Sequence, residues 1–203
     1  MKSFSLVLWL CLATLAWDRA FAQGWEITPF GGYQFGGEFA GLDADIGLEL
    51  DEDVSYGLMV DIDLDPERQV EIYFSRQETQ LTYDEGDFSG TSLFDIDVSY
   101  YHVGGTYLWD EPIVKPFVVG TLGITHLDPD PPGLSSETRF SMSLGGGVKV
   151  MPTEHVGVRL EGRGFATFVD SSTSVFYGDG LSVYFSGDVF WQFQFSAGLV
   201  FRF

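Results

Sequence analysis

Lys115, Arg139, Lys149, Arg159, Arg163 and Arg202 are basic, and Glu26, Asp61, Asp63, Glu71, Asp95, Asp97 and Glu161 are acidic. Each falls on the polar parity of a segment whose alternate positions are mostly apolar. Charges confined to one face of a strand can pair with one another or line a polar path. Unpaired, each would cost several kcal/mol once removed from water. The chemistry open to them is therefore electrostatic. Near balance on these faces sends the chain's excess charge, 30 acidic against 10 basic residues, into its loops and turns.

Catalytic and metal chemistry find less support. The histidines are His102, His126 and His155. A hydrolytic set needs a histidine beside a hydroxyl nucleophile and an orienting carboxylate. Only His126 comes close, with Ser135, Ser136 and Glu137 following it. His155 stands in a Pro-Thr-Glu-His turn and His102 in mid-segment. A single histidine at the end of an apolar segment is more often an interfacial polar group, and no enzyme is expected. Glu38, Asp43, Asp45, Glu49, Asp51, Glu52 and Asp53 crowd one loop without a lysine or arginine. Oxygen ligands at that density suit Ca²⁺ or Mg²⁺. The spacing matches no defined metal loop, so a solvated acidic loop is the expectation. Cys11 is the one cysteine and lies in the first segment of the chain, which excludes disulfides and thiolate sites from the rest. The glycine clusters Gly31-Gly32, Gly104-Gly105 and Gly145-Gly146-Gly147 fall inside alternating segments rather than before a helix, so they do not form a phosphate loop. No cofactor is expected, and a chain of net charge −20 would repel nucleic acid.

The elements that carry these charges are strands. In Asp188–Phe203 one parity reads Trp191, Phe193, Phe195, Ala197, Leu199, Phe201, Phe203, and the other Gln192, Gln194, Ser196, Gly198, Val200, Arg202. One face is wholly apolar and the other mostly polar or small, as a strand between lipid and a polar lumen requires. Trp25–Phe35, Val54–Leu64, Gln69–Tyr83, Leu93–Trp109, Val114–Leu127, Arg139–Met151 and Val156–Phe168 complete eight. In Leu93–Trp109 the apolar parity of Phe94, Ile96, Val98 and Tyr100 runs on into His102 and Thr106, which predicts a bulge and places Asp95 and Asp97 inward. Aromatic residues make up 16% of the chain and glycines number 25, as aromatic girdles and closely packed curved strands demand.

Short links at Asp65–Arg68, Asp110–Pro112 and Pro152–His155 alternate with long ones at Gly37–Asp53, Asp84–Ser92, Asp128–Glu137 and Asp170–Gly187. Barrels of the bacterial outer membrane have short periplasmic turns and long outer loops, so both termini are expected in the periplasm. Residues 1–22 read as a signal peptide: Met1-Lys2, an apolar run from Phe4 to Trp17, then Ala20-Phe21-Ala22. Residues 23–203 form the expected barrel.

The alternating aromatics that close on Phe203, and the start Trp25-Glu-Ile-Thr-Pro-Phe-Gly-Gly-Tyr-Gln-Phe-Gly-Gly37, resemble the small OmpA/OmpX/OmpW-like outer-membrane barrels. The resemblance implies an all-β, eight-stranded antiparallel up-and-down transmembrane barrel. It implies that Trp191, Phe193, Phe195, Leu199, Phe201 and Phe203 form a C-terminal insertion signal read by the barrel-assembly machinery. It also implies contact with outer-membrane lipids and lipopolysaccharide, a monomer, and a structural or envelope-interaction role. An OmpW-like narrow channel for small or apolar solutes is the alternative, kept open by the inward Phe30, Phe117, Val119 and Phe165. A lipid A-modifying enzyme is the third reading. It is disfavoured because position 128 is Asp where the deacylase family has the serine of a His-x-Ser pair.

In a bore narrow enough for side chains to fill, the polar-parity charges are expected to pair across the lumen. Asp61, Asp63 and Glu71 stand near the periplasmic end of strands two and three, and Lys149 and Arg159 at a similar height on strands six and seven. Glu26 and Arg202 meet where the barrel closes. With Lys115, Glu161 and Arg163 these residues predict an ion-pair plug; the rival is a narrow polar conduit lined by the same side chains. Arg76 is expected to point outward near the outer rim.

Overall fold

The computed structural model describes residues 24–40, 47–85, 88–130, 135–168, 174–178, 181–184 and 189–203. The leader expected at 1–22 and positions 41–46 of the acidic loop lie outside them. Eight strands build the fold: β1 (Trp25–Gly36), β2 (Asp53–Asp65), β3 (Arg68–Glu85), β4 (Phe88–Leu108), β5 (Val114–Pro129), β6 (Glu137–Val150), β7 (Val156–Phe168) and β8 (Val189–Arg202). Each is antiparallel to its neighbours in sequence, and β8 returns to pair with β1 from Glu26↔Arg202 to Gly36↔Gln192. Closure leaves the wall without a free edge, so its backbone groups are satisfied even in hydrocarbon.

The stagger of that closure sets the bore. Directly opposed residues lead from Glu26 through Asp61, Glu71, Gly104, Thr121, Ser143, Phe165 and Gln192 to Gly36, so the path returns to β1 ten residues above its start. With eight strands, that shear gives a tilt of about 40° and a radius of about 8 Å. Such a lumen is filled by side chains.

Alternation decides which side chains those are. On β8 and at the residue that follows it, Trp191, Phe193, Phe195, Leu199, Phe201 and Phe203 face outward and are 38–66% exposed, while Gln192 and Gln194 are buried. The outward face of β5 is apolar from Val114 to Ile124, which at this tilt is a belt of about 25 Å, the height of a lipid-facing band. The belt ends in aromatic residues on both rims, among them Trp25 and Trp109 on one and Tyr33, Tyr101 and Trp191 on the other. Both described chain ends and the short turns lie at one end, here the turn end; the other is the loop end. At the turn end the ring of Phe203 stacks on Trp25 at 4.5 Å, and the Phe203 N–H donates to the Trp25 carbonyl at 2.9 Å.

Strands β3 and β4 are longer than their alternation predicts. The expected loop Asp84–Ser92 is largely strand, with Glu85 opposite Phe88. Past the belt the outward positions of this hairpin turn polar: Arg76, Glu78 and Gln80 on β3, Asp97 and Asp95 on β4. Asp95 and Asp97, expected inside, therefore face out, and Ile96, Val98, Tyr100, His102 and Thr106 are the buried parity. No bulge interrupts the membrane part of β4. The β3–β4 register is regular from Arg68↔Tyr107 to Leu81↔Phe94 and shifts only beyond it. The physical reason is that beyond the rim water, not lipid, wets the outer face, so there the apolar parity belongs inside. Short strands Glu38–Ala40 and Gly47–Leu50 add to the loop-end part of β3, and Ser174–Gly178 pairs with Leu181–Tyr184.

Small inward positions make room for large ones. Gly57 is opposed to Phe30, and a Cβ there would lie 2.0 Å from the Phe74 carbonyl oxygen and 2.6 Å from the Phe30 ring. Gly57→Ala is expected to cost about 1–3 kcal/mol in reversible unfolding, the usual effect of overpacking. An unchanged unfolding midpoint would show that the lumen has slack.

Candidate functional site: the charged lumen

Three carboxylates stand side by side on adjacent strands. Glu26 is opposed to Asp61, and Asp61 to Glu71. Directly opposed like charges repel, so this row persists only if something faces it. The opposite wall supplies a basic row: Lys149 on β6 is opposed to Arg159 on β7, and Arg163 follows two inward positions later, with Glu161 between the two arginines. Each row would be unstable by itself. They meet in the middle.

Lys149 Nζ donates to Glu26 at 2.7 Å, to Asp61 at 3.1 Å and to the Gln69 side-chain oxygen at 2.7 Å. Arg159 reaches Asp61 at 3.1 Å, Glu71 at 2.6 Å and Glu161 at 2.6 Å. Arg163 donates to Glu71 at 2.7 Å and to Glu161. All seven charged groups of this cluster are at most 5% exposed. Aromatic rings flank the guanidinium groups: Arg159 lies over Phe117 at 4.3 Å and Arg163 over Tyr73 at 4.1 Å, within cation–π range. Glycines make the space, since Gly147 is opposed to Glu161, Gly145 to Arg163 and Gly198 to Arg159.

The remaining residues of the expected plug lie at or near the mouth. Arg202 pairs with Asp63 and stands 3.8 Å from Glu26, with its side chain 37% exposed. Asp63 also accepts from Gln69 at 2.7 Å. Lys115 does not join the cluster. Its ammonium turns to Asp110 in the β4–β5 turn at 2.7 Å and holds that carboxyl below the usual carboxylate range. Arg76 on the outer face pairs with Asp97, and Arg139 pairs with Glu137 at 3.1 Å toward the loop end.

Directly above the ion pairs comes a layer that is polar but uncharged. Gln34, Gln192 and Gln194 bond in series with Ser55, Tyr73 and Tyr100. The Tyr73 hydroxyl donates to Gln194 at 2.7 Å and the Tyr100 hydroxyl to Gln192 at 2.6 Å. His102 sits between Thr121 and Ser141 hydroxyls at 2.9 and 2.8 Å, edge-on to Phe165. His126, the histidine weighed for catalysis, lies 2.9 Å from Thr138 Oγ1 on the outer face. The apolar inward residues are packed: Phe30 stacks on Tyr73, Phe165 on Tyr100, and Val119 clusters with Phe117 and Leu108. Sequence reasoning missed Gln69, Tyr73 and the glutamines. Their signal was available, because Gln69, Tyr73, Ser75 and Gln77 share the inward parity of Glu71.

Residues 4–203 match the family described as outer membrane protein beta-barrel domain. No curated protein sequence matches the chain. Among solved structures it is similar to Neisserial surface protein A, at 14% identity and TM-score 0.60, over 89% of this chain and 97% of that one. It is also similar to the outer membrane protein OprG of Pseudomonas aeruginosa, at 15% identity and TM-score 0.55, over 89% and 96%. The outer membrane protein AlkL matches at 13% identity and TM-score 0.55, over 89% and 90%. At these identities the likeness carries the fold alone, and it is the match along residues 4–203 that decides membership: the chain belongs to the outer membrane protein beta-barrel domain family and is an eight-stranded barrel of the bacterial outer membrane.

Proposed function

We propose that the barrel has a structural, envelope-supporting role and that its lumen is closed to free diffusion by the ion-pair cluster. In this reading the turn end and both termini lie in the periplasm. The acidic loop end faces outward among lipopolysaccharide, and the chain works as a monomer. During insertion the outward aromatics of β8 and terminal Phe203 are the segment offered to the barrel-assembly machinery.

One observation carries the reading. Lys149, Arg159 and Arg163 reach across the bore to Glu26, Asp61 and Glu71, and in a lumen of about 8 Å radius such a cross-brace supports closure over an open path. Of the apolar residues that would serve a channel, Phe30 and Phe165 are stacked against tyrosines, Phe117 lies beneath Arg159 and Val119 packs with Phe117 and Leu108, which speaks against a continuous apolar lining. The hydrogen-bonded glutamine and tyrosine layer above the ion pairs points the same way. Reconstitution into planar bilayers tests this. The expected record is free of steady openings at moderate voltage; a steady, large-conductance pore would refute the plug and favour the narrow channel.

A further inference from the structure

The buried cluster is one positive charge short. Glu26, Asp61, Glu71 and Glu161 oppose Lys149, Arg159 and Arg163, all at most 5% exposed. The remaining basic groups nearby each bring an acid of their own and so leave the balance unchanged: Arg202, which stands 3.8 Å from Glu26, pairs with Asp63, and Lys115 pairs with Asp110, both toward the turn end. The shortfall has an address. Glu26, Glu71 and Glu161 each meet a cation on both carboxylate oxygens. On Asp61, Oδ2 takes Lys149 and Arg159, while Oδ1 has no hydrogen-bond partner. Asp61 is fully buried between two further carboxylates, Glu26 on β1 and Glu71 on β3. A bare carboxylate oxygen in such a place is strongly unfavourable.

We propose that one monovalent cation, supplied as a proton or as a sodium ion, is held at Asp61 Oδ1 and completes the charge balance of the plug. A single charge is the right size. No group of three or more carboxylate or histidine side chains among the described residues is arranged to hold a metal ion, so a multi-carboxylate divalent site is not what the geometry offers. Access comes from the turn end, where the lining of a cavity of about 230 Å³ includes Glu26, Asp63, Asp65, Lys115, Lys149 and Arg202. Glu26 is opposed to Asp61 and Lys149 bonds to it directly, so this cavity ends one side chain from the site. From β4 the titratable group is His102, bonded to the Thr121 and Ser141 hydroxyls rather than to any carboxylate.

The test is equilibrium unfolding of the barrel in phosphatidylcholine bilayers, at constant ionic strength. In one arm sodium replaces choline; in the other the pH is raised from mildly acidic to mildly alkaline. If the cation is sodium, the folded-to-unfolded ratio rises in proportion to its concentration above saturation. If it is a proton, the native state binds one more proton than the unfolded chain. Stability then falls as pH rises, by about tenfold in that ratio per pH unit. Asp61→Asn removes the surplus charge, so it should fold at least as well as wild type and be flat in both arms. Glu71→Gln removes the same charge but strips Arg159 and Arg163 of a partner, and should lose at least about a hundredfold in the folded-to-unfolded ratio. The proposal is overturned if wild type is flat in both arms, or if Asp61→Asn keeps the dependence, which would move the charge to a group such as His102. It is also overturned if Asp61→Asn is as damaged as Glu71→Gln or does not fold. The inference deepens the plug reading but is tested apart from it, since unfolding reports the site and conductance reports the plug.

Discussion

Arg159→Met is expected to destabilise the barrel by about 3–5 kcal/mol, the cost of breaking a buried pair by removing one partner. Arg159 touches Asp61, Glu71 and Glu161 and covers the Phe117 ring, so it is the hub through which both sides of the lumen are held. Without it Glu71 keeps only Arg163, Asp61 keeps only Lys149, and the buried charge shortfall grows from one to two. Methionine fills much of the volume, so the loss is electrostatic rather than a cavity. Adding Glu71→Gln to the same chain should recover part of the loss, because the orphaned carboxylate is then gone. The coupling between the two sites should be of the order of 1–3 kcal/mol in a double-mutant cycle. Urea unfolding in bilayers reads both. A single-mutant cost below about 1 kcal/mol, the range of solvent-exposed pairs, would mean that water screens the cluster and that the polar conduit is the better description.

On the lipid side, Leu144→Arg should cost about 2–4 kcal/mol, the depth-dependent penalty for a cation at the bilayer midplane. Leu144 is 74% exposed in the middle of the outward face of β6, and its opposed neighbours are Gly120 and Gly164, so no flanking side chain shelters it. Thr138→Arg, six residues along the same face and beyond Phe140, should cost no more than about 1 kcal/mol, because there the guanidinium reaches the interface. The difference between the two variants is the measurement. Equal costs would place both positions in the same medium and remove the belt from the centre of β6.

Strand existence and facing were legible along most of the chain because alternation is local. Trp191 through Phe203 announce a lipid-facing stripe from their alternation alone, and Arg159, Glu161 and Arg163 announce an inward charged one. The reading failed at Asp95 and Asp97, where parity was assigned as if hydrocarbon lay outside. Nothing in those residues states that β3 and β4 continue past the rim. It also misplaced Lys115, whose inward parity is right but whose position next to the β4–β5 turn lets a flexible ammonium reach Asp110 instead of the lumen.

What the amino-acid sequence determined by itself is the two-faced character of each strand, and with it the closed sheet, since lipid-exposed backbone must find partners. Which carboxylate meets which cation was decided only by the tertiary structure. Partners across a bore depend on strand number and on a stagger accumulated around the whole circuit, from Glu26 to Gly36, and no single strand contains that sum.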